Sequence, residues 1–446
     1  MTLTQISTAG VKDDAVTAGK IPANAVGSSE LADNAVDTNA IQDDAVTADK
    51  LANSINTAIA ANTAKDLTAL SAANLTSGTI PDARLPATLP AISGANLTNL
   101  PANRVGRNLI QNGSFIVHQR GGTSTAQGFH IDRWYAGHNN STVTISQGTE
   151  TSGTVYEKGL VNYYRVTNTA NSTASNTYRY IRHSIEAQDL LKSGWNYKSA
   201  SAKITLSFYV RSSVAQNFYG YLRLTNSPDS KYVFETGSLT ANTWTKVTKV
   251  ISGYTSANIN NDNSTGIQVI IAPFWGTDFT ASGVALNTWA AWNSGERAPD
   301  YATTWAGTDG ATFDVTGVQL EVSSVATDFE HRSFAQELAL CQRYFQTQYA
   351  FTANDPYWHG YFGGGNGVRW YQLPVTMRTY PNITLNSHTQ VQVYESSGWA
   401  DRTVSYGTSD QNRVLLYINS TTHNHGKLVR LSGGSIYPIF YASAEI

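Results

Sequence analysis

A single cysteine, Cys341, stands in 446 residues, which excludes a disulfide within the chain and any thiolate cluster for a metal. Charge is scarce too: 14% of residues are charged and the formal net charge is −2, so no basic field draws in nucleic acid. Apolar runs are short, and none approaches the roughly 18 residues that a membrane span needs. Residues 1–11 have neither the charged start nor the apolar core of a secretory signal, so the expectation is synthesis in a cytoplasm without export by that route. Equally missing from the sequence are a glycine-rich phosphate loop, a zinc-protease motif and a nucleophile elbow. What is plentiful is Thr, Ser, Asn and Gly, with 24 Tyr and 10 Trp. That is the composition of β-structure with long loops, and of surfaces that contact sugars or protein.

The first fifty positions carry a strict beat. Ile6, Val11, Val16, Ile21, Val26, Leu31, Val36, Ile41, Val46 and Leu51 recur at intervals of five, and alternate members sit in triplets such as Asp14-Ala15-Val16 and Asp44-Ala45-Val46. Five residues advance an α-helix by about 500°, and an odd interval puts successive residues on opposite faces of a flat strand. One apolar residue in five cannot offset the roughly 1–2 kcal/mol that ordering each residue costs. Several identical chains wound about a common axis, each turning its apolar residue inward, solve the problem and make a thin shaft.

Downstream, Leu51, Ile55, Ile59, Leu67, Leu70 and Ala73 lie in an alanine-rich stretch at largely three-and-four spacing, predicting a short helix that clamps a trimeric coiled coil. From Leu75 the texture changes: Gly78, Pro81, Pro86, Pro90, Gly94 and Pro101 punctuate Ile80, Leu85, Leu89, Ile92, Leu97 and Leu100. Such proline density forbids helix and sheet interior, and the apolar beat reads as more shaft. At Asn108 alternation takes over. Ile204, Leu206, Phe208 and Val210 against Thr205, Ser207 and Tyr209 predict a half-buried strand, and 218–224, 244–251, 267–271 and 315–322 behave similarly. These segments predict an antiparallel jelly-roll sandwich, interrupted by a Trp-bearing insert at 275–310. Ser333 and Gln336 have the spacing of a capping box, and Phe334, Leu338, Cys341 and Phe345 mark one helix face. Cys341 reads as a small buried apolar residue. Beyond it, 373–378, 383–385, 391–394, 414–418, 428–431 and 437–441 return to strand texture.

The chain resembles bacteriophage tail fibre proteins. The decad 43–51, Asp-Asp-Ala-Val-Thr-Ala-Asp-Lys-Leu, is similar to N-terminal repeats of such fibres, and Ile80-Pro81-Asp82-Ala83-Arg84-Leu85-Pro86 looks like their shafts. Asn108-Leu109-Ile110-Gln111-Asn112-Gly113-Ser114-Phe115, with Gln119-Arg120-Gly121 and Asp132-Arg133-Trp134-Tyr135, resembles the opening of their carbohydrate-binding-module-like sandwiches. The most specific piece is Val318-Gln319-Leu320-Glu321, then Ala326-Thr327-Asp328-Phe329-Glu330-His331-Arg332, then Glu337 to Phe345; Asp328 stands where similar sequences often carry proline.

That resemblance implies a homotrimer serving host-surface recognition. The expected fold class is mostly β, an elongated homotrimer in six parts: repeats and virion attachment (1–52), helical coiled coil (53–74), Pro/Gly-punctuated shaft (75–107), jelly roll (108–331), hinge helix (332–346) and a sandwich-like receptor-binding tip (347–446). Expected partners are a second and third copy, tail or baseplate proteins at the N-terminus, and a host surface glycan or outer-membrane receptor; nucleic acid and membrane span are not expected. The expected location is the virion.

Sugar recognition needs flat aromatic faces with amide and hydroxyl groups beside them. The insert offers Trp289, Trp292 and Trp305, although core packing of the insert is the favoured account of them. The tip offers Trp358, Tyr361, Trp370, Tyr394 and Trp399, and is favoured because the free end meets the host first. His423-Asn424-His425 is the sharpest small motif. In an extended segment both imidazoles face one way, so a threefold axis would gather six for octahedral iron, nickel or zinc, as in the long-fibre tips of T-even phages; an exposed loop explains the pair as well. No organic cofactor is expected, and a structural Ca²⁺ is implied by the resemblance alone. Glu321, Asp328 and Glu330 are the nearest carboxylate cluster for glycan cleavage, and Glu330, His331 and Arg332 read better as a salt-bridged junction. The expectation is therefore binding without catalysis, the alternative being a tail spike that hydrolyses surface polysaccharide.

Overall fold

The computed structural model describes residues 106–349, 358–363, 366–385, 390–395, 398–419, 427–431 and 438–446, with 52–63 and the isolated positions 15, 17–23, 25, 47 and 49. Most of the repeat region, 64–74 and the shaft up to 105 lie outside the described residues. The chain divides into two units, Met1–Gly94 and Ala95–Ile446. In the first, α1 (Asn53–Thr63) exposes Ile55 and Ile59, one turn apart.

The second unit is mostly β. Its first part comprises β1 (Gly128–Ile131), β2 (Trp134–Asn139), β3 (Thr142–Thr149), β4 (Asn162–Ala170), β5 (Tyr178–Glu186), α2 (Ala187–Lys192), β6 (Lys203–Ser212), β7 (Asn217–Leu224), β8 (Ser230–Ser238), β9 (Thr245–Ser252), β10 (Thr265–Trp275), β11 (Trp289–Ala291), α3 (Thr304–Gly307) and β12 (Thr312–Glu321). These strands form a seven-stranded sheet, β1-β2-β5-β10-β7-β8-β11, and a five-stranded one, β3-β4-β12-β6-β9, antiparallel throughout. Ile204, Leu206, Phe208 and Val210 of one sheet and Ile181, Leu222, Val269 and Ile271 of the other bury in one shared core. Alternating side chains thus fill the space between two sheets, as a sandwich requires. The alternation in β6 is not half-buried, however. Thr205, Ser207 and Tyr209 are buried too, because Leu160 and Phe329 pack over Tyr209 and the Thr205 hydroxyl donates to the Ser323 carbonyl at 2.7 Å.

The motif at 108–117 carries no regular element, and its side chains organise the sandwich end. Asn112, at φ 55, donates from Nδ2 to the Val117 and Asp132 carbonyls and accepts from Val117 N–H. A Cβ on Gly113 would lie 2.1 Å from the Val318 carbonyl oxygen, so only glycine lets these backbones meet.

Then α4 (Phe334–Gln342) begins at the expected capping box, with Ser333 and Gln336 exchanging hydrogen bonds. Phe334 is not on its buried face: it is 58% exposed, and Glu337 turns inward instead. The Glu337 carboxylate accepts from Asn112 N–H and meets Arg332 at 3.5 Å, which outweighs the apolar pull of one terminal Phe. Glu330 accepts from Asn108 N–H at 2.7 Å and pairs with Arg332 at 3.4 Å, while Glu321 accepts from Thr327 N–H and Oγ1. The cluster is occupied in holding the chain together.

The remainder comprises β13 (Phe345–Tyr349), β14 (Trp358–Gly363), β15 (Asn366–Gln372), β16 (Asn382–Leu385), β17 (Gln390–Glu395), β18 (Gly398–Ser409), β19 (Arg413–Asn419), β20 (Lys427–Leu431) and β21 (Pro438–Ser443). β13-β21-β16 form a small sheet, and β14-β15-β19-β18-β17-β20 close into a barrel in place of the expected sandwich-like tip. The long β18 causes this: residues 398–403 pair with β17 and 404–409 with β19, across a register shift between Tyr406 and Thr408. A strand that bends to serve both sides leaves no open edge. The segment 373–378, expected as a strand, is irregular and bent, and its Leu373 and Met377 pack into the core with residues of β19 and β21.

Ion pairs bind the two β parts together. Arg343 bonds Glu186 through two contacts, 2.9 and 2.8 Å, and the Tyr344 hydroxyl adds a third at 2.7 Å. Arg133, wholly buried, pairs with Glu445 at 2.7 Å and stacks on Tyr344 at 3.3 Å. Burial raises the neighbouring Asp132 carboxyl to about 6, despite Arg120 and Gln119 beside it.

Candidate functional site

The outer face of the seven-stranded sheet assembles a row from distant sequence. Register places Tyr135 opposite Arg182, Arg182 opposite Ile270, Ile270 opposite Tyr221 and Tyr221 opposite Val233. In neighbouring rows Gly137 faces Tyr180, and Gln268 faces both Ser184 and Arg223. Since β-strand side chains alternate, these residues share one face while Ile181, Leu222 and Val269 enter the core.

Aromatic rings run across this face. Tyr135 lies 6.2 Å from Tyr180, Tyr180 stacks on Trp275 at 5.1 Å and 20°, Trp275 lies 6.4 Å from Tyr221, and Tyr221 lies 5.4 Å from Trp292. Gly137 makes the row possible: a Cβ there would stand 2.3 Å from the Tyr180 ring. Burial raises the Tyr180 and Tyr221 hydroxyl pKa values, with Arg182 and Arg297 opposing it.

The insert supplies the wall. It returns to the sheet edge through β11, whose Trp289 pairs with Tyr232 of β8, and Trp292 N–H donates to the Asp229 carbonyl at 3.0 Å. Arg297 N–H donates to the Phe279 carbonyl at 2.8 Å, and its guanidinium stacks on Trp275 at 4.4 Å and Phe279 at 4.5 Å. Arg223 stacks on Trp292 at 4.0 Å and forms an ion pair with Asp229. Together Tyr180, Arg182, Arg223, Gln268, Trp292 and Arg297 line a recess of about 150 Å³, with Tyr221 and Ile270 at its floor. Stacking surfaces, amide groups and guanidinium donors therefore converge on one place.

The sequence candidates fall differently. Trp292 belongs to the recess. Trp289 is half-buried at the sheet edge, stacked on Tyr254 at 5.6 Å and 18° with its indole N–H on the Ser252 carbonyl. Trp305 is a correction: it is 0% exposed and cannot meet a ligand. Its indole plugs the sandwich against Phe313, with its N–H on the Thr312 carbonyl at 3.0 Å. Trp370 is 43% exposed on β15 beneath Arg413, 4.3 Å away. For Trp358, Tyr361, Tyr394 and Trp399 only the strand positions are described; Tyr394 and Trp399 are register partners across β17 and β18. His423 and His425 lie outside the described residues. Tyr135, Tyr180, Arg182, Arg223, Gln268 and Arg297 escaped sequence reasoning, although the spacing Tyr178, Tyr180, Arg182 carried a signal: three large polar-tipped residues on one face of a strand.

A larger groove, about 980 Å³, lies where α4 meets 375–376. Size does not make it the better candidate. Its cations are consumed internally, Arg332 by Glu330 and Glu337 and Arg343 by Glu186.

No family model matches the chain, and no curated protein matches it. Solved structures do. The enzymatically active domain of tailspike protein 4 of bacteriophage CBA120 is 10% identical over 48% of this chain and 21% of that one, with a TM-score of 0.27. The N-terminal cellulose-binding domain of β-1,4-glucanase C from Cellulomonas fimi is 12% identical over 47% and 98%, TM-score 0.24. The family 11 carbohydrate-binding module of Clostridium thermocellum, in complex with a mixed-linked tetrasaccharide, is 13% identical over 46% and 98%, TM-score 0.23. The chain spans about a fifth of the tailspike chain's length. Likeness at this level leaves the functional argument to the residues of the recess.

Proposed function

We propose that this chain is the glycan-binding subunit of a homotrimeric phage tail fibre, carried on the virion, which adsorbs to a host cell surface. The observation that carries glycan binding is the set of half-buried rings Tyr135, Tyr180 and Trp292, backed by the buried Trp275 and Tyr221, with guanidinium and amide groups at the rim. Sugar rings present C–H faces that stack on aromatic rings, and their hydroxyls take hydrogen bonds from groups beside them. The five-residue beat and the three-and-four spacing of α1 support the trimer. Three weak sites on one rigid body gain avidity on a surface that repeats its glycan. The barrel, with exposed Trp370, offers a second contact.

Binding proceeds without cleavage in this reading, since Glu321 and Glu330 serve as internal acceptors at the junction. The test uses purified full-length protein on an array of bacterial surface polysaccharides. We expect retention of a subset, and about 10- to 100-fold weaker binding by Tyr180→Ala, matching the loss of a stacking face worth roughly 1–3 kcal/mol. Unchanged binding by that variant would move recognition to the barrel. Release of oligosaccharide during incubation would replace the binding reading with a hydrolytic tail spike.

A further inference from the structure

The recess is electrostatically unbalanced. Three guanidiniums, Arg182, Arg223 and Arg297, line it, and its lining contains neither Asp nor Glu. Asp229 neutralises Arg223 alone. Other carboxylates nearby are engaged elsewhere: Asp300 accepts from Thr280 at 2.6 Å and Glu235 from Asn217 at 2.7 Å. Arg297 gives its Nε to a backbone carbonyl, that of Ser294, and Arg182 keeps a buried Nε with no hydrogen-bond partner. Among the described residues neither forms an ion pair. Two half-buried guanidiniums without a counter-charge repel one another and lose hydration, a cost that a protein relieves elsewhere by placing a carboxylate between them.

We infer that the recess takes an anionic glycan, whose carboxylate or phosphate group enters between Arg182 and Arg297 while the sugar ring lies against Tyr180 and Trp292. The inference rests on the reading of this face as glycan-binding and adds the class of sugar. Planar guanidiniums donate two parallel hydrogen bonds to a carboxylate or phosphate, a geometry that a neutral hydroxyl does not match. The volume agrees: about 150 Å³ is below the roughly 300–1,000 Å³ of whole-ligand pockets. It suits one charged unit of a longer chain that continues over the half-buried rings of Tyr180 and Tyr135.

The experiment titrates purified full-length protein against acidic and neutral bacterial polysaccharides. Each acidic polymer that binds is tested again after carboxyl reduction and, separately, after dephosphorylation. We expect binding to be confined to acidic polymers and to fall at least about tenfold after one of the two treatments, which identifies the anion. Arg182→Gln and Arg297→Gln should each lose about tenfold at unchanged melting temperature, with Arg297→Lys retaining more than Arg297→Gln. Raising salt from about 50 to 500 mM should weaken the wild type more than either Gln variant. Equal affinity for neutral and acidic polymers, or Gln variants that bind as wild type does, would overturn the charge assignment and leave glycan binding standing. Failure to bind any polymer would remove the glycan reading itself.

Discussion

The two outer faces of the sandwich are made of the same residue types and pair their charges differently. On the five-stranded sheet Tyr163, Arg165, Arg211 and Trp244 gather as Tyr180, Arg182, Arg223 and Trp292 do on the seven-stranded one. Even a backbone device repeats: a Cβ on Gly148 would stand 2.1 Å from the Tyr163 ring, as one on Gly137 would stand 2.3 Å from Tyr180. The difference lies in the carboxylates: Asp314 and Glu150 answer both arginines of the five-stranded face, whereas Asp229 answers only Arg223 of the three on the other. Asp314 is the register partner of both Arg165 and Arg211 and is 1% exposed; it bonds Arg165 at 2.7 and 2.8 Å and Arg211 at 2.8 Å. The corresponding place opposite Arg182 holds Ile270. An arginine beside a tyrosine is a structural brace when its charge is answered within the chain, and under the proposal above it is a binding group when it is not.

The largest effect should come from removing the Asp314 carboxylate. Asp314→Asn leaves Arg165 facing a neutral amide and Arg211 with Glu150 alone, 2.7 Å away. Breaking a buried pair typically costs about 3–5 kcal/mol, and the low end applies here because Arg165 and Arg211 keep 32% and 18% of their side-chain exposure. Urea unfolding should report a loss of about 3 kcal/mol, with glycan affinity unchanged within about twofold. An affinity loss parallel to the stability loss would mean that the two faces are one coupled unit, and the contrast between them would fall.

The glycine pair separates packing from binding. Gly137→Ala and Gly148→Ala each drive a methyl group into a tyrosine ring, and overpacking of this kind costs about 1–3 kcal/mol. Both variants should melt earlier by similar amounts. Only Gly137→Ala, which displaces Tyr180 from the row, should also weaken glycan binding, by about tenfold. Equal affinities for the two variants would show that Tyr180 packs and does not bind.

Much of the sandwich was legible because burial writes itself locally. β6, β7, β9, β10 and β12 follow the alternation visible at 204–210, 218–224, 244–251, 267–271 and 315–322. The capping box at Ser333 was equally local. The barrel was not, since its closure depends on β18 bending between two partners, and register is a property of pairs of strands. The recess was hidden for the same reason. Tyr135, Arg182, Ile270 and Tyr221 come from four strands, and nothing near any of them announces the other three. Tryptophan count misled in the insert: Trp305 and Trp292 belong to the same segment, and burial alone separates core plug from recess wall.

Gln268→Glu turns one face toward the other. Gln268 is half-buried, faces Arg223 of β7 and lines the recess with Arg182 and Arg297. A carboxylate there answers their charge from within, as Asp314 does on the opposite sheet, while preserving side-chain length. Partly exposed ion pairs contribute about 0–1 kcal/mol, so folding stability should hold or rise slightly. Affinity for an acidic glycan should fall about tenfold, because the anion would meet a guanidinium already paired and a like charge beside it. Gln268→Ala removes the amide without adding charge, and should cost only the few-fold loss of a neutral hydrogen bond. Acidic-glycan affinities that fall equally in both variants would assign Gln268 a hydrogen-bonding role alone. If the Gln268→Glu variant instead bound the acidic glycan as wild type does, unanswered arginine charge could not be what distinguishes the two faces.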